Sequence, residues 1–353
     1  MKDLTPQNIE RFSHLTQAAQ KISIVGHMKP DGDALGSTLG MYHYLRLCGK
    51  EDIKIILPHR TQAQLNFLID KELAKDIIIH EDRPALAEQA ILASDLIICQ
   101  DFNAFHRTDT LEHILESSRA LKILIDHHLN PDRERFDLCF SETEISSASE
   151  LTYQILMCTP AIGNNARKLP MKAAVALMTG MTTDTNNFSN SVYPSTLQMA
   201  SALLEAGVDR DMIISNIYQQ HSESRMRLMG YILKDLMTIT PDGVAYIILN
   251  KKVLQEYHIE EGDTEGFVNL PLSMAKVKMS LMLKEDGDKV RVSIRSKKGV
   301  SANRCSKFHF NGGGHENAAG GRLYIPQDIS GIEEAAAYVE RHTHTFMTSE
   351  NEE

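Results

Sequence analysis

Four aspartates and several histidines in this 353-residue chain stand where a metal site would need them. His27, Asp31 and Asp33 lie in the run HMKPDGD, Asp101 in CQDF, His127 and His128 in IDHH, and Asp184 in TTDT. If they converge, four carboxylates share a small volume, which is strongly unfavourable unless cations neutralise them. Two divalent ions would cancel the four charges, with imidazoles as neutral nitrogen ligands. A carboxylate and imidazole set without cysteine suits Mn²⁺ first, then Mg²⁺, Co²⁺ or Fe²⁺. Taken singly, an aspartate after a strand is ordinarily a helix cap or turn residue. Asp33 alone could simply cap a helix at Ala34. A His-His pair is also ordinary alone. The ordered combination of HxxxDxD, a strand-ending Asp and a strand-ending DHH is what points to chemistry.

The elements that must position these groups follow from patterning. KISIVGH (21–27), DIKIILP, SDLIICQDF (94–102) and LKILIDHH (121–128) are short apolar runs separated by helical spacing. Such strands predict an α/β domain, a mainly parallel sheet with helices on both faces. Ligands gather at the C-terminal strand edge of such sheets. Residues 146 to about 237 read as mostly helical. Beyond them come β-rich runs with Asp-Gly turn signals at 242–243 and 286–287. The expected plan is a catalytic domain over 1–225, a helical linker, and a smaller α/β domain with a mixed sheet over 238–353.

Composition bounds the rest. Hydrophobic residues are 42% and charged residues 24%, the profile of a globular protein. No run reaches the ~18 apolar residues of a membrane span. No secretory signal is read, and five scattered cysteines with no CxxC pair fit reduced thiols, so a cytoplasmic protein is expected. A net charge of -10 should repel long nucleic acid unless positive charge gathers locally. It gathers from Lys289 to Lys307, with Lys289, Arg291, Arg295, Lys297, Lys298, Arg304 and Lys307 and no acidic residue. A solvated strand face would also give that alternation. The glycines that follow, Gly312, Gly313 and Gly314 before His315, would open backbone N–H groups to an anion.

Together these motifs resemble the DHH phosphoesterase superfamily. The likeness rests on residues 27–37, Asp101 with Arg107, Asp126-His127-His128, Asp184, and the Gly-Gly-Gly-His of the DHH-associated domain (311–321). It spans about residues 20–325 and is closest to the nanoRNase/pAp phosphatase branch. The resemblance implies that His27 and Asp31 hold one ion, Asp33, His127 and Asp184 the other, and Asp101 both. Asp126 would orient an imidazole or backbone. Asp33, Asp101 and His128 would be catalytic, and His128 would face the scissile phosphate. Arg107, Arg295, Gly313, Gly314 and His315 would join His128 in holding substrate.

After Asp184 the chain departs from the family pattern, with Asn186-Asn187-Phe188-Ser189-Asn190 in place of a glycine and a basic residue. Phe188 could stack on a base, but core packing is the expectation.

The implied activity is two-metal hydrolysis of short oligonucleotides or pAp-like nucleotides to nucleoside monophosphates. Rivals are a linear or cyclic dinucleotide phosphodiesterase, a RecJ-type exonuclease, or a silent nucleotide-binding module. No tryptophan and 6% aromatic residues offer no stacking path for a long strand, so no stable long nucleic-acid complex and no membrane partner are expected. A homodimer stays open.

Overall fold

The computed structural model describes residues 2–259 and 262–350, the side chains of His315 and Glu350 excepted. The chain divides into two compact units, Met1–Gln220 and His221–Glu353.

The first unit is built on six strands: β1 (Lys21–Val25), β2 (Asp52–Leu57), β3 (Ile77–Ile79), β4 (Leu96–Gln100), β5 (Leu121–Asp126) and β6 (Leu138–Ser141). They run in the order β3-β2-β1-β4-β5-β6, all parallel. Side chains alternate between the two faces, so each apolar strand feeds two cores. Ile22, Ile24, Ile53, Ile55, Ile98 and Ile123 pack on one face. Covering that face are α1 (Pro6–Ala18), α2 (Gly32–Leu47), α5 (Ala148–Cys158) and α6 (Met171–Asp184). Val25, Ile56, Ile97, Cys99 and Leu124 pack on the other, under α3 (Pro84–Ala93) and α4 (Glu112–Ser117). Helices α7 (Pro194–Glu205) and α8 (Arg210–Tyr218) complete the unit.

Strand order reverses between β1 and β4, and the crevice outside their carboxyl ends is where open α/β sheets hold ligands. His27 follows β1 and Asp101 follows β4. Helices α2 and α6 cross tightly beside that crevice. A Cβ on Gly36 would lie 2.5 Å from the Ala176 carbonyl oxygen and 2.9 Å from the Gly180 backbone. Only glycine lets α6 come close enough to bring its last residue, Asp184, towards Asp33.

The second unit starts with α9 (Glu223–Tyr231) and one π-helical turn, Ile232–Leu236. It then forms a mixed sheet in the order β11-β12-β10-β9-β8-β7. The strands are β7 (Thr238–Ile239), β8 (Val244–Leu249), β9 (Met279–Asp286), β10 (Lys289–Ser296), β11 (Gly313–His315) and β12 (Ala318–Tyr324). β8 and β9 are parallel and the other pairs antiparallel. The Asp-Gly pairs fall in the connections β7–β8 and β9–β10, as turn chemistry suggests. α10 (Lys251–Glu256), α11 (Ala302–His309) and α12 (Ala335–Glu350) complete it. Its main core joins Val292, Ile294 and Phe310 to Val339 and Phe346 of α12. Among the described residues no helix is long and apolar enough to cross a membrane.

Candidate metal centre

Each acidic or imidazole group is aimed by its own backbone. The His27 ring shares a 2.8 Å hydrogen bond between Nδ1 and the Met28 carbonyl oxygen, in which Nδ1–H donates. That leaves Nε2 facing Asp101 Oδ2 at 3.3 Å and Asp31 Oδ1 at 3.7 Å. The cap of α2 is Asp31, whose Oδ1 accepts from the amides of Asp33 (3.0 Å) and Ala34 (3.1 Å). The cap is thus not Asp33, the ordinary alternative to its role as a ligand. Asp33 lies inside the first turn of α2, buried, and its carboxylate reaches α5. There it accepts from Ala148 N at 2.6 Å and Ser149 N at 2.8 Å.

Asp101 has φ 64, a left-handed conformation that aspartate and asparagine tolerate, while its N–H still donates to the Ile125 carbonyl. His127 Nε2 lies 3.5 Å from Asp101 Oδ1, 3.6 Å from Asp184 Oδ2 and 3.9 Å from Asp33 Oδ2. Asp126, fully buried at the end of β5, accepts from both the Nδ1 (2.7 Å) and the backbone N–H (3.1 Å) of His128. His128 Nε2 then stands 3.5 Å from Arg107 Nη2. The Arg107 carbonyl accepts from Met28 N, which ties the loops after β1 and β4 together.

Three donor groups result, each with ligand atoms within 4.8 Å: His27/Asp31/Asp101, Asp33/His127/Asp184 and Asp101/His127/His128. All offer oxygen or imidazole nitrogen, the donors that Mn²⁺ or Mg²⁺ takes. Asp101 Oδ1 is buried with no hydrogen-bond partner. Such an orphan acceptor among carboxylates fits a cation.

The protonation of the cluster agrees. Burial pulls the His27 imidazole down, but Asp101 and Asp31 outweigh it and hold it well above 6.5. Burial also lowers His127, but Asp101, with Asp33 and Asp184, outweighs it and lifts the imidazole to about 10. Burial raises Asp33 well above 3.8, helped by the charges of Asp101 and Asp184. Burial also takes Asp184 to about 6, His127 partly opposing it. Burial would raise Asp101, but His127 and His27 overcome it and hold the carboxyl below its usual range.

A raised folded-state value stabilises below the unfolded value and loses that effect as pH climbs through the folded one. The metal-free protein therefore loses the Asp184 contribution between pH 3.8 and about 6, and that of His127 between pH 6.5 and about 10. Divalent ions bound among these groups would replace those protons. The rise in Tm caused by Mn²⁺ should grow from about pH 6 to about pH 9. Thermal unfolding with and without Mn²⁺ across that range checks it; a pH-independent rise would contradict it.

In the second unit Gly312 lets strands approach closely. A Cβ on Gly312 would lie 1.9 Å from the Gly320 carbonyl oxygen. Gly312 N donates to the Ser306 carbonyl and Gly314 N to Asn303 Oδ1. The Arg295 Nη1 group donates to the carbonyls of Ile294 (2.9 Å) and Ala319 (3.4 Å). Arg291 pairs with Asp286 at 2.8 Å, and Lys297 Nζ donates to the Met274 carbonyl. Gly313 and Gly314 stand in β11; the side chain of His315 lies outside the described residues. Phe188 is half-buried against the main core, with the Arg210 guanidinium 5.6 Å from its ring centroid. Asn186, Asn187 and Phe188 all have positive φ, which explains the asparagines there.

Residues 21–181 match the DHH family, N-terminal domain, and residues 243–341 match the DHHA1 domain. The crystal structure of an exopolyphosphatase-related protein from Bacteroides fragilis is 36% identical, with a TM-score of 0.90 and coverage of 99% of both chains. The probable bifunctional oligoribonuclease and PAP phosphatase NrnA of Streptococcus mutans is 29% identical over 87% of this chain and 91% of its own. The bifunctional oligoribonuclease and PAP phosphatase NrnA of Bacillus subtilis is 26% identical over 84% of this chain and 88% of its own. With both domains matched in order and the strand-end acidic and histidine groups gathered in one crevice, the chain belongs to the DHH family of phosphoesterases, hydrolases of phosphoester bonds.

Proposed function

We propose that this protein hydrolyses short oligonucleotides and pAp-like nucleotides to nucleoside monophosphates with two divalent ions, Mn²⁺ first. The observation that carries the proposal is the sharing of Asp101 between facing donor groups. In this reading His27, Asp31 and Asp101 hold one ion, and Asp33, His127, Asp184 and Asp101 the other. Two such ions supply the charge that activates water and stabilises the entering and leaving oxygens of an in-line displacement.

The chain's own residues do the rest. Asp126 takes the Nδ1 proton of His128 in its hydrogen bond, so Nε2, beside Arg107, is the edge offered to the scissile phosphate. The Arg107 fork adds donors for a phosphate oxygen. The second unit serves as the substrate-binding domain, with Arg295, Gly313, Gly314 and His315 holding a further phosphate. The basic segment from Lys289 to Lys307 supports that role in a chain of net charge -10. That similar proteins are named oligoribonuclease and PAP phosphatase supports the short-substrate reading.

A substrate panel with Mn²⁺ tests the reading. Dinucleotides, RNA trimers and pAp should turn over far faster than a twenty-four-nucleotide RNA, a cyclic dinucleotide or pyrophosphate. Equal rates on the long strand would remove the short-substrate claim, and faster turnover of the cyclic dinucleotide would replace it.

A further inference from the structure

We infer that Glu150 is a positioning residue for the metal centre, a role that rests on the two-ion reading above. It acts through Ser146 and Thr196 on the turn whose amides hold Asp33.

Glu150 is 0% exposed and belongs to none of the donor groups found among the described residues. Its Oε2 accepts from Ser146 Oγ (2.5 Å), Ser146 N (3.2 Å) and Thr196 Oγ1 (2.7 Å). Its Oε1 has no hydrogen-bond partner. A carboxylate in a core is costly, and an apolar side chain of similar size would fill the space. What the carboxylate adds is a tie between two helix starts. Thr196 lies in the first turn of α7, where its hydroxyl also accepts from Tyr193 N at 3.1 Å. Ser146 precedes the α5 cap, Ser147, whose hydroxyl accepts from Glu150 N at 2.9 Å.

Between cap and glutamate stand Ala148 and Ser149, the donors to the two oxygens of Asp33. The torsion that sets a carboxylate plane is soft. The Asp33 plane is therefore fixed from α5, across the fold, and not by its own helix. A carboxylate has about four acceptor sites, so two N–H donors leave others for a cation in a set direction. Loosening the 146–149 turn frees that direction.

Mn²⁺ titration followed by the EPR signal of the free ion tests this. Wild type should bind two ions. Thr196→Val and Glu150→Gln should weaken one of them about 10–100-fold, the range for groups that orient a ligand, and leave the other unchanged. Thr196→Ser, which keeps the hydroxyl, should restore wild-type binding. In an Asp33→Asn background, Thr196→Val should add no further loss. If Thr196→Val does not fold by circular dichroism, Glu150→Gln, of nearly equal volume, carries the comparison. Wild-type affinity for both ions in a folded variant overturns the inference, whatever happens to Tm, as does equal loss with and without Asp33. Failure of the wild type to bind two ions would overturn the two-ion reading instead.

Discussion

Asp101→Asn should lower kcat/KM on a dinucleotide by about 10³-fold while the fold survives. Asparagine adopts the φ of 64 that position 101 requires, and it has the size of aspartate. What it removes is the charge between His27 and His127 and one of the two oxygens that a shared ligand needs. Metal ions supply several kcal/mol of transition-state charge stabilisation, and 1.36 kcal/mol is tenfold in rate, which gives about 10³. Steady-state kinetics with circular dichroism checks it. Turnover within about tenfold of wild type, a loss of only 1.36 kcal/mol, would show that Asp101 does not carry the chemistry.

The second large effect is expected at an uncharged position one turn beyond Asp33. Gly36→Ala places a methyl 2.5 Å from the Ala176 carbonyl oxygen and 2.9 Å from Gly180, both main chain, so no side chain can swing aside. Overpacking of this kind costs about 1–3 kcal/mol. To relieve it α6 must move off α2, which carries Asp184 away from Asp33 and His127. Thermal stability and Mn²⁺ affinity should therefore fall together. A stable Gly36→Ala protein with wild-type Mn²⁺ binding would show that the helix crossing does not set the site.

How much of this was legible in the chain depends on range. β1, β2, β4 and β5 stand out because each is a strand of five or six residues dominated by Ile, Leu and Val. β3 and β6 escape the same reading. Ile77–Ile79 is three residues long, and Leu138–Ser141 ends in a serine after a charged turn, so neither shows a period; tertiary pairing makes them strands. Asp31, Asp33 and Asp101, with His27 and His127, were readable from their places after strands, because a parallel sheet sends those ends to one edge; Asp184 instead ends helix α6.

Partnerships at a distance in sequence were not readable. Nothing local shows that Asp33 is gripped by Ala148 and Ser149, 115 and 116 residues away. A hint existed in Ser147-Ala148-Ser149-Glu150, the Ser-x-x-Glu signature of a helix start. That signature places α5 but does not say what its amides hold. The triple glycine has distant partners of the same kind. Its composition suggests open N–H groups, whereas Gly312 and Gly314 spend theirs on Ser306 and Asn303, and the missing side chain at 312 first serves strand approach.

The most direct test of the central claim is anomalous diffraction at the manganese edge from crystals grown with Mn²⁺. Two peaks about 3.5–4 Å apart are expected. One should lie among His27, Asp31 and Asp101, and the other among Asp33, Asp101, His127 and Asp184. A single peak, or two that do not share Asp101, would contradict it.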